Sequence, residues 1–170
     1  MPTSGKCPSP RRTTAVADAA GTIPHLLFRL GDQHYALAIE QVIEVAAMVE
    51  LVETPDIDDV FLGVANRHGA PLPVLDLRPV FRHPVPAVDT TTLFIVAHAA
   101  QQSAGLVVDE VLRIAHFDSS SLSQHVVRDR FVRSVVTHGD QMVQLLALSS
   151  LLAHYLPQAV SVHVEGEQTQ

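Results

Sequence analysis

Apolar residues run along this chain in short stretches broken by Gly, Asp, His and Pro, a pattern of strands and tight turns rather than long helices. Leu26-Leu27-Phe28-Arg29-Leu30, the polar Gly31-Asp32-Gln33-His34, and Tyr35-Ala36-Leu37-Ala38-Ile39 predict a hairpin. Gln41 to Met48 reads as a short helical or irregular segment, with Glu40 and Glu44 spaced to share one face. After a turn-rich connection over Thr54–Asp59, Phe61–Asn66 predicts a strand, Arg67-His68-Gly69 a turn and Ala70–Leu75 a returning strand. Pro71 and Pro73 put that strand at an edge or where its amides are not needed. Asp76 is placed to cap a single helical turn through Phe81. Beyond the connector His83-Pro84-Val85-Pro86, Thr92–Ala97 and Gly105–Ile114 form a third hairpin. A Ser119–Ser121 loop follows, then a last hairpin, Phe131–Val136 and Met142–Leu148 about His138-Gly139-Asp140, and a closing helix over about 149–156 before Pro157. Residues 1–22 and 158–170 are polar and aperiodic and read as tails.

Two blocks of this pattern occur twice. Tyr35–Val45 matches Ala104–Ile114 at an offset of 69, aliphatic against aliphatic, with Glu40 opposite Asp109 and Gln41 opposite Glu110. Phe61-Leu62, His68-Gly69, Leu72 and Leu75 match Phe131-Val132, His138-Gly139, Met142 and Leu145 at an offset of 70. Such a period exceeds the roughly 20–50 residues of solenoid repeats. It predicts a duplicated β unit: a mostly β chain of two small barrels about a rough two-fold, one over about 25–82 and one over about 90–150, within a domain spanning 23–157.

Composition narrows the function classes. The chain has 170 residues, 47% of them hydrophobic and 17% charged, which suits a packed domain rather than a disordered one. Its formal charge of −7, with Lys6 the single lysine, removes the electrostatic drive for nucleic-acid binding. No apolar run approaches the roughly 18 residues needed to span a bilayer, so no membrane insertion is expected and the chain is expected in the cytoplasm. Cys7 is the only cysteine, excluding an internal disulfide.

No catalytic or cofactor set nominates itself. The ten histidines form no His-x-His or His-Glu-x-x-His spacing, so scattered surface histidines are expected rather than a metal site, which needs convergent ligands. Gly-x-Ser-x-Gly, Gly-x-Gly-x-x-Gly and the phosphate-loop pattern are all absent. Gly63, Gly69, Gly105 and Gly139 suit turns or close packing. Leu37, Ile39, Val42, Leu106, Val108 and Val111 read as core, and Asp109 as a brace for the turn out of its strand, a role its repeat partner Glu40 would duplicate. The expectation is no enzyme, no cofactor and no metal.

Three motifs in order resemble the CheW family of chemotaxis coupling proteins. They are Phe28-Arg29-Leu30-Gly31 through Val42-Ile43-Glu44-Val45, the block Gly63-Val64-Ala65-Asn66-Arg67-His68-Gly69 with Pro73-Val74-Leu75-Asp76-Leu77-Arg78, and Gly105-Leu106-Val107-Val108-Asp109-Glu110-Val111. The resemblance covers about His25 to Leu156. It implies two SH3-like five-stranded barrels and a non-enzymatic adaptor in two-component chemosensory signalling. The implied partners are the regulatory domain of a CheA-type histidine kinase and the cytoplasmic tip of a methyl-accepting receptor, in membrane-associated arrays. A CheW-like scaffold for other partners, and a small metal- or Ser/His-dependent β-barrel enzyme, are the alternatives.

The same resemblance implies a partner-binding set of Val42, Glu44, Asn66, Arg67, His68 and Gly69, with Gly63, Asp76, Gly105, Val108, Asp109 and Val111 as structural positions. The family arginine that pairs with the glutamate falls on His68, and Arg67 takes a place usually aliphatic. Neighbouring strand residues point to opposite faces, so Arg67 replaces His68 only if the turn re-aims it. Either His68 faces Glu44, giving a pH-dependent pair, or it is a tolerant turn residue; a changed receptor or kinase selectivity follows from the first. Across the repeat Glu44 stands opposite Arg113, Asn66 opposite Val136 and Arg67 opposite Thr137, so the polar recognition set belongs to the first half.

Overall fold

A computed structural model describes residues 21–55, 58–123 and 129–156. Most of Met1–Thr22, including Cys7, and the segment 158–170 lie outside the described residues, but Thr22, assigned above to a tail, already begins a strand. The strands are β1 (Thr22–Leu30), β2 (Gln33–Ala38), β3 (Val42–Ala47), β4 (Leu51–Val52), β5 (Phe61–Arg67), β6 (Ala70–Asp76), β7 (Leu93–Ala99), β8 (Gln102–Val108), β9 (Glu110–Asp118), β10 (Val132–His138) and β11 (Gln141–Leu146). Helices α1 (Leu77–Val80) and α2 (Leu148–Tyr155) follow β6 and β11.

The chain is mostly β, as expected, but the two halves are interleaved. One sheet runs β10-β11-β2-β1-β9 and the other β3-β7-β8-β6-β5-β4. Each sheet therefore takes the β1–β2 or β7–β8 hairpin from one half of the chain and its remaining strands from the other. The contiguous units 25–82 and 90–150 do not coincide with the sheets, and strand pairing closes neither sheet into a barrel. The duplication survives this exchange: β1–β2 packs against β9, β10 and β11 as β7–β8 packs against β3, β5 and β6.

The repeated block Tyr35–Val45 and Ala104–Ile114 is where the chain changes sheet. In the first copy β2 passes through a 3₁₀ turn, Ile39–Gln41, into β3 of the other sheet, so Gln41–Met48 is mainly strand rather than helix. In the second copy Gly105–Ile114 is not one strand: it breaks at Asp109 between β8 and β9, which lie in different sheets. Each strand must leave one ladder before entering another: a three-residue 3₁₀ turn makes the break in the first copy and the single residue Asp109 in the second.

Central strands bury both faces, because successive side chains point to opposite sides. In β7, Ile95 and Ala97 enter a core shared by both sheets, while Phe94 and Val96 enter one belonging to the second sheet alone. In β1, Leu26 and Phe28 face the shared core and Leu27 a third cluster with Ala36, Phe117 and Leu145. This double burial explains the continuous apolar runs. Gly105 permits the close approach of β7: a Cβ there would lie 2.8 Å from Phe94 Cδ2. Pro71 and Pro73 sit in the part of β6 that precedes its pairing with β8, which starts at Val74, so no ladder bond is lost on that side.

A buried ion pair ties the sheets together. Arg78 and Asp76 are both almost wholly buried; Arg78 Nε donates to Asp76 Oδ1 at 2.9 Å and its Nη2 to Oδ2 at 2.8 Å. Asp76 also caps α1, accepting from the Arg78 amide at 2.9 Å. Arg78 Nη1 reaches Asp109 Oδ1 at 3.4 Å, and Asp109 Oδ2 accepts from the Gly31 amide at 2.6 Å. Asp109 thus braces the break between β8 and β9, whereas its repeat partner Glu40 is an exposed residue of the 3₁₀ turn, so the bracing role is not duplicated.

The second copy places Leu146 and Leu148, both buried, about the start of α2, where the first places Asp76 and Arg78 about the start of α1. We expect Arg78→Leu, which strands a buried carboxylate, to cost about 3–5 kcal/mol in urea unfolding. The Asp76→Leu/Arg78→Leu double variant should recover most of that loss, as the leucine-filled copy implies.

His25, expected at the surface, is buried on β1, its Nδ1 3.0 Å from Ile23 O. Burial pulls its pKa below the ordinary imidazole value, outweighing the Ile23 hydrogen bond. The unfolded chain therefore binds this proton more readily, so stability is held above about pH 6.5 and lost as pH falls from there through the lower folded value. The urea midpoint should drop between about pH 7.5 and about pH 5.5, and His25→Phe should flatten that drop.

Candidate functional site: the Glu44–Arg67 surface and the two sheet edges

The second sheet curls so that the tip of β5 comes over β3. Arg67, the last residue of β5, directs Nε to Glu44 Oε1 at 2.9 Å, and its Nη2 contacts the same oxygen. The guanidinium carbon lies 6.0 Å from the centre of the Phe94 ring, so the cation rests over an aromatic face. Arg67 and Glu44 side chains are 21% and 34% exposed, sheltered enough for a pair but open to a partner.

His68 behaves differently. Its Nε2 is 3.8 Å from Glu44 Oε1, and its side chain is 81% exposed. Arg67 pairs with Ala70 across the hairpin, leaving His68 and Gly69 as a two-residue turn with φ of 51° and 83°. Both central residues at positive φ define a type I′ turn, the form whose twist suits a hairpin. Asn66 supports it, its Oδ1 accepting from the Gly69 amide at 3.0 Å. The turn thus gives the hydrogen-bonded glutamate pairing to Arg67 and, of the two readings open for His68, leaves it as an exposed turn residue at the rim of Glu44.

The repeat does not carry over to the other turn. His138 pairs with Gln141 as the last residue of β10, and Gly139, with φ of 62°, enters the turn directly. The aligned His-Gly pairs therefore occupy different turn positions, a one-residue shift in register.

Of the remaining expected partner residues, Val42 is half-buried against the shared core and serves packing. Gly69 has open space where a Cβ would stand, but its φ holds it to the turn. Gly63, with φ of 136°, lets the Val52 carbonyl come within 2.7 Å of where its Cβ would be. Val108 is core, and Val111 packs half-buried against the same cluster.

Sequence reasoning missed the exposed apolar pairs on two edge strands. β3 ends one sheet and exposes Ile43 (60%) and Val45; β9 ends the other and exposes Leu112 and Ile114 (53%). These are the same repeat positions, so the alignment that marked them as aliphatic also held the signal that they form a duplicated surface. Among the described residues no three His, Cys, Asp or Glu side chains gather as metal ligands, and no helix is long and apolar enough to cross a membrane.

A double-mutant cycle on Glu44→Ala and Arg67→Ala should give a coupling of about 0.5–1 kcal/mol in chemical denaturation that shrinks in high salt, since the pair is partly solvated. The corresponding cycle between Glu44 and His68 at neutral pH should give none.

Comparison with known proteins places this geometry. The model of the CheW-like domain matches residues 24–155. The chemotaxis protein CheW of Klebsiella aerogenes is 25% identical over 133 residues, spanning 75% of this chain and 80% of the relative. A probable chemotaxis protein CheW of Rhizobium etli is 29% identical over 136 residues, 75% and 86% of the two chains. The crystal structure of the scaffolding protein TtCheW from Thermoanaerobacter tengcongensis superposes with a TM-score of 0.67 at 26% identity, covering 73% of this chain and 88% of that one. The chain, with its interleaved sheets and its Glu44–Arg67 surface, belongs to the CheW-like domain family.

Proposed function

We infer that this protein is a non-enzymatic adaptor of a chemosensory pathway, joining the cytoplasmic tip of a methyl-accepting receptor to the regulatory domain of a CheA-type kinase. The observation that carries this reading is the pair of pseudo-equivalent sheet edges, β3 with Ile43 and Val45 and β9 with Leu112 and Ile114. An adaptor needs two surfaces that can be occupied together, and duplication with strand exchange puts one on each sheet. Apolar side chains flanked by polar ones suit the core of a protein interface, and open strand edges suit backbone pairing or groove filling. The surface about Glu44, Arg67 and Asn66 serves the receptor tip, and the β9 edge serves the kinase.

The central charge differs between the edges, Glu44 on β3 and Arg113 on β9, and this asymmetry discriminates the two partners by electrostatic complementarity. The exposed turn residue His68 sits at the rim of the first surface, where a substitution alters partner choice more than affinity. An array at the membrane is reached through the receptor.

Binding of the purified chain to the receptor tip and the kinase regulatory domain from the same organism, measured separately by calorimetry, tests this. Arg67→Ala should weaken the receptor complex by about tenfold or more and leave kinase binding intact, as loss of about 1.4 kcal/mol at one interface requires. Ile114→Asp should do the reverse. Failure to bind the kinase domain at all would point instead to a scaffold for other partners.

A further inference from the structure

The two copies also differ at the point where their parallel strand pairs end. In the second sheet β6 and β8 pair as far as Asp76, α1 begins at once, and the Asp76 carboxylate caps it while gripping the Arg78 guanidinium. In the first sheet the corresponding pair, β11 with β2, ends at Leu145 and Ala36, and α2 begins with Ala147 at its cap position and no side-chain cap. A cavity of about 220 Å³ opens there, bordered by Leu145, Ala147 and Leu148. The helix start, with its unsatisfied amides and positive dipole end, faces a space instead of a carboxylate.

Three ionisable groups line that space, Arg133, His25 and Glu40. Arg133 sits at a β-bulge, between Val132 and Ser134, where an extra residue re-aims the strand's side chains. His25 is 6% exposed; its Nδ1 is bound to Ile23, and its Nε2 has no partner among the described residues. We propose that this cavity is a binding site for a single carboxylate, which takes the place at the α2 N-terminus that Asp76 takes at α1, with Arg133 as its guanidinium partner and His25 as a second donor once protonated.

The internal copy defines the ligand class. This chain satisfies one helix start with a carboxylate clamped by a guanidinium; at the other a guanidinium and an imidazole line the cavity, and among the described residues no side-chain carboxylate caps the helix. Glu40, which also lines the cavity, opposes a second negative charge and so favours a monocarboxylate over phosphate. The charged groups facing His25 are Arg133 and Glu40, of opposite sign. A bound carboxylate adds to the side that favours the imidazolium, so binding strengthens as pH falls through the imidazole range. Two sources have this chemistry, a small free acid and an acidic side chain of a bound protein. The inference does not rest on the adaptor reading.

The test is a chemical-shift titration of the full chain with sodium acetate, against sodium chloride at matched ionic strength, at about pH 6. Acetate should give saturable shifts at the Leu148 and Ser149 amides and the His25 ring; chloride should not. Arg133→Ala should weaken the response roughly tenfold. Ala147→Asp, which builds the carboxylate into the chain, should abolish it and raise the thermal midpoint by about 2–4 °C. A parallel titration with N-acetylglutamate α-amide separates the sources: binding marks a site open to a partner's side chain, and acetate binding alone marks a site for a small acid. Acetate shifts equal to those of chloride, or shifts that survive both substitutions, would overturn the proposal.

Discussion

The Arg78 guanidinium, buried between Asp76 and Asp109, is the interaction on which the arrangement of the two sheets depends. Asp76 ends β6 and starts α1; Asp109 ends β8 and starts β9; Gly31, held by Asp109, turns β1 into β2. One cation, directly or through Asp109, thus joins three points at which the chain changes direction or changes sheet. Its worth is not measured by Coulomb attraction alone, since taking both charges out of water offsets much of the gain. Its value is positional: a guanidinium has one planar fork, and satisfying it with two carboxylates leaves a single relative placement of the sheets. The leucine-filled copy at α2 holds its helix by packing instead.

Strand exchange binds the two halves as well. Because each hairpin pairs with the other half's strands, neither half of the chain buries its apolar surface alone. The shared core draws Leu26, Phe28, Tyr35 and Leu37 from the first half and Ile95, Leu106, Val132 and Leu148 from the second. Two free edges follow: β3 and β9 are left outermost, each carrying an aliphatic pair that no other strand among the described residues covers. Their unlike central charges turn a structural duplication into two distinguishable surfaces.

Much of this was legible in the residues. The hairpins at Leu26–Ile39, Phe61–Leu75 and Phe131–Leu146, the Asp76 cap and the closing helix follow from local turn chemistry and hydrophobic runs, which act over a few residues. The candidate site was only partly legible. Glu44, Asn66 and Gly69 stood out through the family resemblance, but which neighbour pairs with Glu44 depended on turn type, and the type I′ turn brings Arg67 rather than His68 into hydrogen-bonding distance. Arg78 is visible in the sequence only as the end of a family motif, because an arginine beside a cap reads as solvated until the second carboxylate arrives from a distant strand.

By itself the sequence determined a mostly β chain, its duplication and its family, because periodicity, turn residues and motif order are local properties repeated at a fixed offset. It also marked the repeated block Tyr35–Val45 and Ala104–Ile114 as the most informative stretch. Only the tertiary structure decided that this block is a crossing between sheets, that the halves exchange hairpins, and that His25 and Arg78 are buried while Ile43 and Ile114 are not. The physical reason is that an aliphatic run specifies burial on some face without specifying which strand will cover it. That assignment rests on contacts between residues far apart in the chain.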